Sequence, residues 1–227
     1  MAYAFKQNLL PSNKYPVKAP YTMTPQYITV HNTANDATAA NEIKYMITND
    51  NQVSYHVAVD DVEVIQGILF NRNAWHCGDG QGNGNRKSIG IEICYSKSGG
   101  VRYTAAEENA VQYIASLLKQ YGWGIERVKK HQDWNGKYCP HRVLSENRWN
   151  SFLNRIEEAM KPTTTIQQKE ETPVTNTLTS TAKEDLKGLL KETYQRGILK
   201  VDHSDKVGSM TDGEALGLLI SVVKRTL

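Results

Sequence analysis

Apolar residues recur along the N-terminal part of the chain with two different periods. Residues 26–30 predict a buried strand that carries His31 at its C-terminal end. Residues 53–59 and 62–65 predict a pair of strands turning at Asp60 and Asp61. Residues 87–95 alternate, with Ile89, Ile91 and Ile93 on one face and Gly90, Glu92 and Cys94 on the other. Elsewhere the period lengthens to that of a helix. Ala39, Ile43, Met46 and Ile47 share one face. Thr104 and Glu107 have the spacing of a capping box. They predict the start of a helix whose Ala110, Tyr113, Ile114, Leu117, Leu118 and Tyr121 make an apolar stripe. Trp149, Phe152, Leu153 and Ile156 make another. Strands interleaved with helices and joined by long polar loops predict an α/β fold, a mixed central β-sheet packed by helices.

The pattern stops at residue 161. Residues 162–181, rich in Thr, Gln and Pro, show neither period and read as a flexible, solvated linker. They divide the chain into a domain over 1–161 and a small all-α C-terminal module over 182–227. In that module Leu186, Leu189, Leu190 and Tyr194 share a helical face that ends at Gly197. A second capping box, Thr211 with Glu214, opens a helix bearing Leu216, Leu219, Ile220 and Val223. Two helices of this size make a marginal core alone, so the module is expected to dimerise, dock or bind something.

The 227 residues, 39% hydrophobic and 22% charged, suffice for one well-buried domain and this smaller piece. A net charge of +3 is too weak for a nucleic-acid binder, which carries a clustered basic patch. It is compatible with an anionic polymer such as a bacterial wall. No window approaches the roughly 20 apolar residues that span a bilayer, so membrane insertion is not expected. The N-terminus lacks a basic start followed by an apolar core and does not read as a secretory signal. The chain is therefore expected to be made in a cytoplasm and to need another route out. Three cysteines cannot close a disulfide framework. Cys94 lies in an apolar run and is expected to be buried, while Cys77 sits in a polar Gly-rich stretch.

Chemistry concentrates in His31, His131 and Cys139. Two imidazoles and a thiol suit zinc, and three protein ligands leave open the position that a catalytic site needs. The long gap between the histidines is unlike a zinc finger, so a fold must bring them together. A bound metal lowers the pKa of its water to about 7. Amide hydrolysis then requires a base and a donor for the oxyanion. Glu92, the lone acid on its strand, is the candidate base. Lys137, two residues before Cys139, is placed to neutralise developing negative charge. Taken singly, each has an ordinary alternative, such as a hydrogen-bonded histidine or an ion-paired glutamate.

The order of these residues resembles the zinc-dependent amidases of the amidase type 2, phage lysozyme and peptidoglycan-recognition superfamily. The run His31-Asn32-Thr33, the pair Tyr55-His56, the strand from Ser88 to Glu92 and the region of His131, Lys137 and Cys139 match its motifs. The similarity covers roughly residues 20–160 and is greatest to amidase endolysins of Bacillus phages and prophages. It implies Zn2+ held by His31, His131 and Cys139, and catalytic roles for Glu92, Lys137 and Tyr55. Some relatives use Asp as third ligand; Cys139 groups this chain with the phage-lysozyme-like members. The implied reaction cleaves the amide between N-acetylmuramic acid and L-alanine in bacterial peptidoglycan, with release to the wall through a holin pore. His76 and Trp75 fall in a loop that borders the substrate groove in relatives. With Asn32 and Thr33, they are expected to line substrate.

His56 is expected either in the cleft or as a hydrogen-bonded core residue. His141 is expected outside the coordination shell, because a fourth ligand would fill the open position. Trp75 and Trp134 are expected to stack on substrate or to sit half-buried. The tail, from Gly197 through the run Met210 to Leu219, resembles one helix–loop–helix unit of the S-layer-homology type, with a generic helical hairpin as the alternative. It is expected to bind the wall or to form a homodimer. Two rivals come from other classes. One is a non-catalytic peptidoglycan-binding protein, a kind that often lacks the Cys ligand kept here. The other is a cysteine peptidase using Cys139 with His131; the following Pro140 and the absence of a helix-start signal disfavour it.

Overall fold

Six strands hydrogen-bond in the order β1-β4-β3-β5-β2-β6. They are β1 (Ala4–Gln7), β2 (Tyr27–Asn32), β3 (Val57–Val59), β4 (Glu63–Gln66), β5 (Ser88–Ile93) and β6 (Val128–Lys130). This is a computed structural model; it describes residues 3–161 and 179–226, which fall into two units dividing near Thr163. All neighbouring strands run parallel except β3 and β4, which are antiparallel on either side of the predicted turn at Asp60 and Asp61. Parallel neighbours need long crossovers, and helices provide most of them. In the first unit these are α1 (Tyr15–Lys18), α2 (Ala39–Thr48), α3 (Asn83–Lys87), α4 (Gly100–Tyr121), α5 (Gln132–Asn135), α6 (His141–Ser145) and α7 (Trp149–Met160).

Helices on the sheet explain the sequence of its central strands. Ile28 and Val30 of β2 and Ile89, Ile91 and Ile93 of β5 are wholly buried in one core with Ile114 and Leu118 of α4 and Phe152 and Ile156 of α7. The alternate positions, His31 and Glu92 among them, leave the opposite face. The outermost strands were harder to foresee. β1 is exposed along its whole length, and β6 has three residues.

The capping box expected at Thr104 is not formed. α4 begins a turn earlier, at Gly100, and Thr104 Oγ1 donates to the Gly100 carbonyl inside the helix. Glu107 instead turns inward, 3% exposed, and accepts from Arg148, the residue that precedes α7, at 2.6 Å and from Arg155 of α7 at 2.5 Å. Two distant guanidiniums outweigh one local backbone N–H. The strand expected over 53–59 is confined to Val57–Val59; the residues before it belong to a loop.

The second unit holds α8 (Ser180–Gln195) and α9 (Asp212–Thr226) around Leu186, Leu190, Leu199, Val207, Ala215 and Val222. Thr179 caps α8, so that helix starts two residues before the expected module boundary. The remainder of the expected linker, 162–178, lies outside the described residues. The capping box at Thr211 is formed: Glu214 N–H donates to Thr211 Oγ1 at 3.3 Å, and Thr211 N–H donates to Glu214 Oε2 at 2.8 Å. The apolar face that the sequence pattern marks on this helix stays exposed. α9 buries Ala215 and Val222 and leaves Leu216, Leu219, Ile220 and Val223 exposed at 58%, 36%, 48% and 52%. On α8, Thr193 is buried and Tyr194 faces out. Among the described residues no helix is long and apolar enough to cross a membrane.

Candidate metal centre and active site

Strand register assembles the site. In the parallel pair of β2 and β5, His31 lies opposite Glu92, so both side chains leave the same face of the sheet. On the other side of β2, Val30 lies opposite Lys130 of β6, and His131 therefore leaves β6 beside His31. The single turn of α5 ends at Gly136, whose φ of 83° is the left-handed conformation glycine adopts without strain. The chain then returns, and Gln132 N–H donates to the Cys139 carbonyl at 3.1 Å. His31 Nδ1 comes to lie 3.1 Å from His131 Nδ1 and 3.8 Å from Cys139 Sγ. Residues a hundred positions apart thus form one buried cluster that could hold a metal ion.

Hydrogen bonds fix which nitrogens are free. His76 Nε2 is 3.2 Å from the Ser88 carbonyl, which only accepts, so that nitrogen carries the proton and Nδ1 is bare. His31 Nε2 then donates to His76 Nδ1 at 2.9 Å, and the lone pair of His31 falls on Nδ1, toward His131 and Cys139. His76 reaches His31 only because β5 has a glycine at the crossing point; a Cβ on Gly90 would sit 2.7 Å from His76 Nδ1. A second trio, His31, His76 and Cys77, is equally close. Its central contact is this hydrogen bond, which leaves no free lone pair on His76 Nδ1.

Burial, then the neighbouring imidazoles and Lys137, hold His31 well below the usual histidine range. Burial and His56 do the same to His76, and burial lowers His131. All three are therefore neutral, as ligands must be. Burial, with Glu92 adding to it, pushes the Cys139 thiol up to about 12. Without a cation beside it, this sulfur keeps its proton. A short helix, α6, does begin just past Cys139, against expectation; burial of the thiol is the firmer argument against cysteine chemistry. Burial and the nearby Glu42 charge push Glu92 up to about 8, with Lys137 pulling the other way. Glu92 Oε2 is buried without a hydrogen-bond partner among the described residues.

Two adjoining hollows open on this cluster. One, of about 520 Å³, is lined by Trp75, His76, His131 and Lys137 among others. The other, also about 520 Å³, is lined by Thr33, Glu42, Tyr55 and Glu92 among others, and Val53 belongs to both. Of the expected site residues, His31, His131, Cys139, Glu92 and Lys137 thus converge. Tyr55 lies nearby, but its hydroxyl donates to Glu42, to the carbonyl at 2.8 Å and to Oε2 at 3.0 Å. Trp75 borders the first hollow with its indole N–H donated to the Val17 carbonyl at 3.1 Å. Asn32 is used internally: its amide donates to Tyr103 Oη at 3.3 Å and accepts from Arg142 N–H at 3.0 Å. His56 is a core residue, accepting from Gly90 N–H and donating to the Arg72 carbonyl. His141 Nε2 donates to the Ser96 carbonyl, and Trp134 donates to Thr29 Oγ1. Glu42 was missed in the sequence, although it falls on the same helical face as Ala39 and Met46, an acid within an apolar stripe.

Bare ligand nitrogens beside an unpaired carboxylate, at the floor of an open groove, are what metal-assisted hydrolysis asks of a protein. Residues 21–142 match the family model of N-acetylmuramoyl-L-alanine amidase (Amidase_2), and the chain belongs to that family. It is 63% identical over 162 residues to the N-acetylmuramoyl-L-alanine amidase CwlA of Bacillus subtilis (strain 168), across 71% of this chain and 60% of that protein. The solved structure of PlyL is similar with a TM-score of 0.66 at 59% identity, over 67% of this chain and 96% of that one. A mutant endolysin from Bacillus subtilis is 40% identical with a TM-score of 0.62, over 68% of this chain and 99% of that one. The match thus spans three fifths of CwlA and nearly all of both solved chains.

Proposed function

We propose that the chain hydrolyses the amide between N-acetylmuramic acid and L-alanine in bacterial peptidoglycan, with Zn2+ held by His31, His131 and Cys139. The observation that carries this is the placement of His131 Nδ1 and Cys139 Sγ about His31 Nδ1, with the three residues' donor atoms within 4.8 Å of one another. Zinc bonds of about 2.0–2.1 Å to nitrogen and 2.3 Å to sulfur give tetrahedral edges of roughly 3.3 and 3.6 Å. The corresponding separations here are 3.1 and 3.8 Å. When bound, zinc supplies Lewis acidity that acidifies water and polarises a carbonyl. Glu92 Oε2 accepts the proton of the attacking water and passes it to the departing alanine amine. Lys137 Nζ offers positive charge to the oxyanion. His76 Nδ1 holds His31 in the tautomer that presents Nδ1. Tyr55, its hydroxyl committed to Glu42, shapes the groove, and Trp75 and Thr33 line it. Mass spectrometry of digested peptidoglycan tests the reading: new N-terminal L-alanine is expected, and new reducing sugar ends would refute it. A non-catalytic peptidoglycan-binding protein would release neither.

The activity is that of a phage or prophage endolysin, made in the host cytoplasm and reaching the wall through a holin pore. Support comes from the similarity to an endolysin of Bacillus subtilis. Residues 1–161 form the catalytic domain, 162–179 the linker and 180–227, from the start of α8, a wall-binding or pairing module. The exposed stripe on α9 favours pairing with a second copy. Leu216, Leu219, Ile220 and Val223 follow the spacing of a helix–helix seam, with Glu214 before them and Lys224 and Arg225 after. In an antiparallel pair Leu216 of one copy meets Val223 of the other, Leu219 meets Ile220, and Glu214 meets Arg225. The face is self-complementary in shape and charge, as a two-fold interface must be.

A further inference from the structure

Lys18 closes α1 and is 0% exposed. A lysine taken out of water must give its ammonium protons to acceptors. Among the described residues its donated bonds go to one segment: Asn49 Oδ1 at 3.0 Å, the Asn51 carbonyl at 2.5 Å and the Val53 carbonyl at 3.1 Å. The Lys18 carbonyl accepts from Ser54 Oγ at 2.6 Å, and Ser54 Oγ accepts from Trp75 N–H at 2.9 Å. Residues 49–56, between α2 and β3, belong to no strand, so the amine does the work of a missing ladder. An apolar side chain of the same length would fill the space without burying a charge. What the amine adds is the fixed path of this segment.

That path is a wall of the groove. Asn49, Asn51 and Val53 line the hollow that holds Glu92, while Gln52 and Val53 line the one that holds His131 and Lys137. Val53, 65% exposed, stands where the two meet. We infer that Lys18 is a positioning residue for substrate: it holds residues 49–53 as the wall against which the peptide of a muramoyl peptide is seated between Glu92 and the metal ligands. This rests on the reading of the groove as the peptidoglycan site.

The test uses the zinc-loaded full chain and a soluble muramoyl peptide. Lys18→Met keeps the length and removes every donor. KM is expected to rise about tenfold while kcat changes less than about twofold, the signature of lost binding rather than lost chemistry. A role confined to stability would lower the amount of active enzyme and leave KM unchanged. That result, in a variant with unaltered circular dichroism, overturns the proposal. If Lys18→Met does not fold, Asn49→Ala removes one acceptor from the same amine. It is expected to raise KM about threefold, and an unchanged KM there overturns the proposal as well. Failure of the unsubstituted chain to release N-terminal alanine would overturn the amidase reading first, and the seating role with it.

Discussion

At Glu92 the fold holds a carboxylate in two opposed conditions. Burial disfavours its charge, and a metal cation with Lys137 would restore it. A base tuned this way contributes roughly 10²- to 10⁴-fold in rate, so Glu92→Gln should lose about that much kcat while keeping one zinc per chain by elemental analysis. Retention of full turnover would remove Glu92 from the mechanism. Tyr55→Phe should cost less than about tenfold, because its hydroxyl is spent on Glu42. Cys139→Ser should lose metal and activity together. Gly90→Ala tests the residue that no chemical argument would single out. Its methyl would displace the His76 ring and release the tautomer of His31, and zinc affinity should fall about 10- to 100-fold. Chelator competition reads that directly; unchanged affinity would mean that His76 does not orient the ligand. The ligands themselves were legible in the sequence because their residue types are rare together and follow recognisable strands. The role of His76 was not, since it depends on a ring crossing β5 at one glycine.

Elements were legible where local period and burial agree, and failed where a distant partner intervened. The period-two run over 87–95 is β5, and the stripe from Ala110 to Leu118 faces the sheet in α4. Glu107 shows the failure. Its spacing from Thr104 is a cap signal, but Arg148 and Arg155 lie at the start of α7 and within it, beyond the reach of any local pattern. Glu107→Ala should therefore separate α4 from α7 and cost about 2–3 kcal/mol, below the figure for a fully buried pair because both arginines are partly exposed. Urea denaturation followed by tryptophan fluorescence measures this, and a loss within error of zero would demote the ion pair to decoration. On α9 the helical period holds, and the apolar face it marks is left exposed. A helix with apolar residues all round gives no local sign of which stripe meets α8. The same exposure makes the pairing testable: Leu219→Glu should turn a dimer into a monomer in sedimentation equilibrium. A monomeric parent chain would dismiss the seam as an interface between copies.

On the scale of the whole catalytic unit, the site imposes a stability profile that runs both ways with pH. His31, His56, His76 and His131 are buried and neutral, with His56 lowered to about 4 by burial and the others below the histidine range. Folded groups that refuse protons contribute stability that is complete above the unfolded histidine value, about 6.5, and is lost as pH falls below it. Glu92, raised to about 8, does the reverse: the folded chain keeps a proton that the unfolded chain releases above about 4.3. Its contribution is complete at low pH and declines as pH rises toward 8. Between pH 4.5 and 6.5 four imidazoles oppose one carboxylate, so stability should rise with pH. Above about pH 7 the imidazoles of the unfolded chain have lost most of their protons, and the carboxylate should make it decline. With chelator present, the urea midpoint of this unit should therefore peak near pH 7. All four tryptophans, Trp75, Trp123, Trp134 and Trp149, lie in this unit, so fluorescence follows it without interference from the C-terminal helices. Glu92→Gln should abolish the decline between about pH 7 and 8 and leave the acid limb in place. A midpoint that is flat from pH 5 to 6.5 would mean that the histidines are not held neutral by the fold. Excess zinc should steepen the acid limb, because neutral imidazoles and a thiolate bind metal in competition with protons.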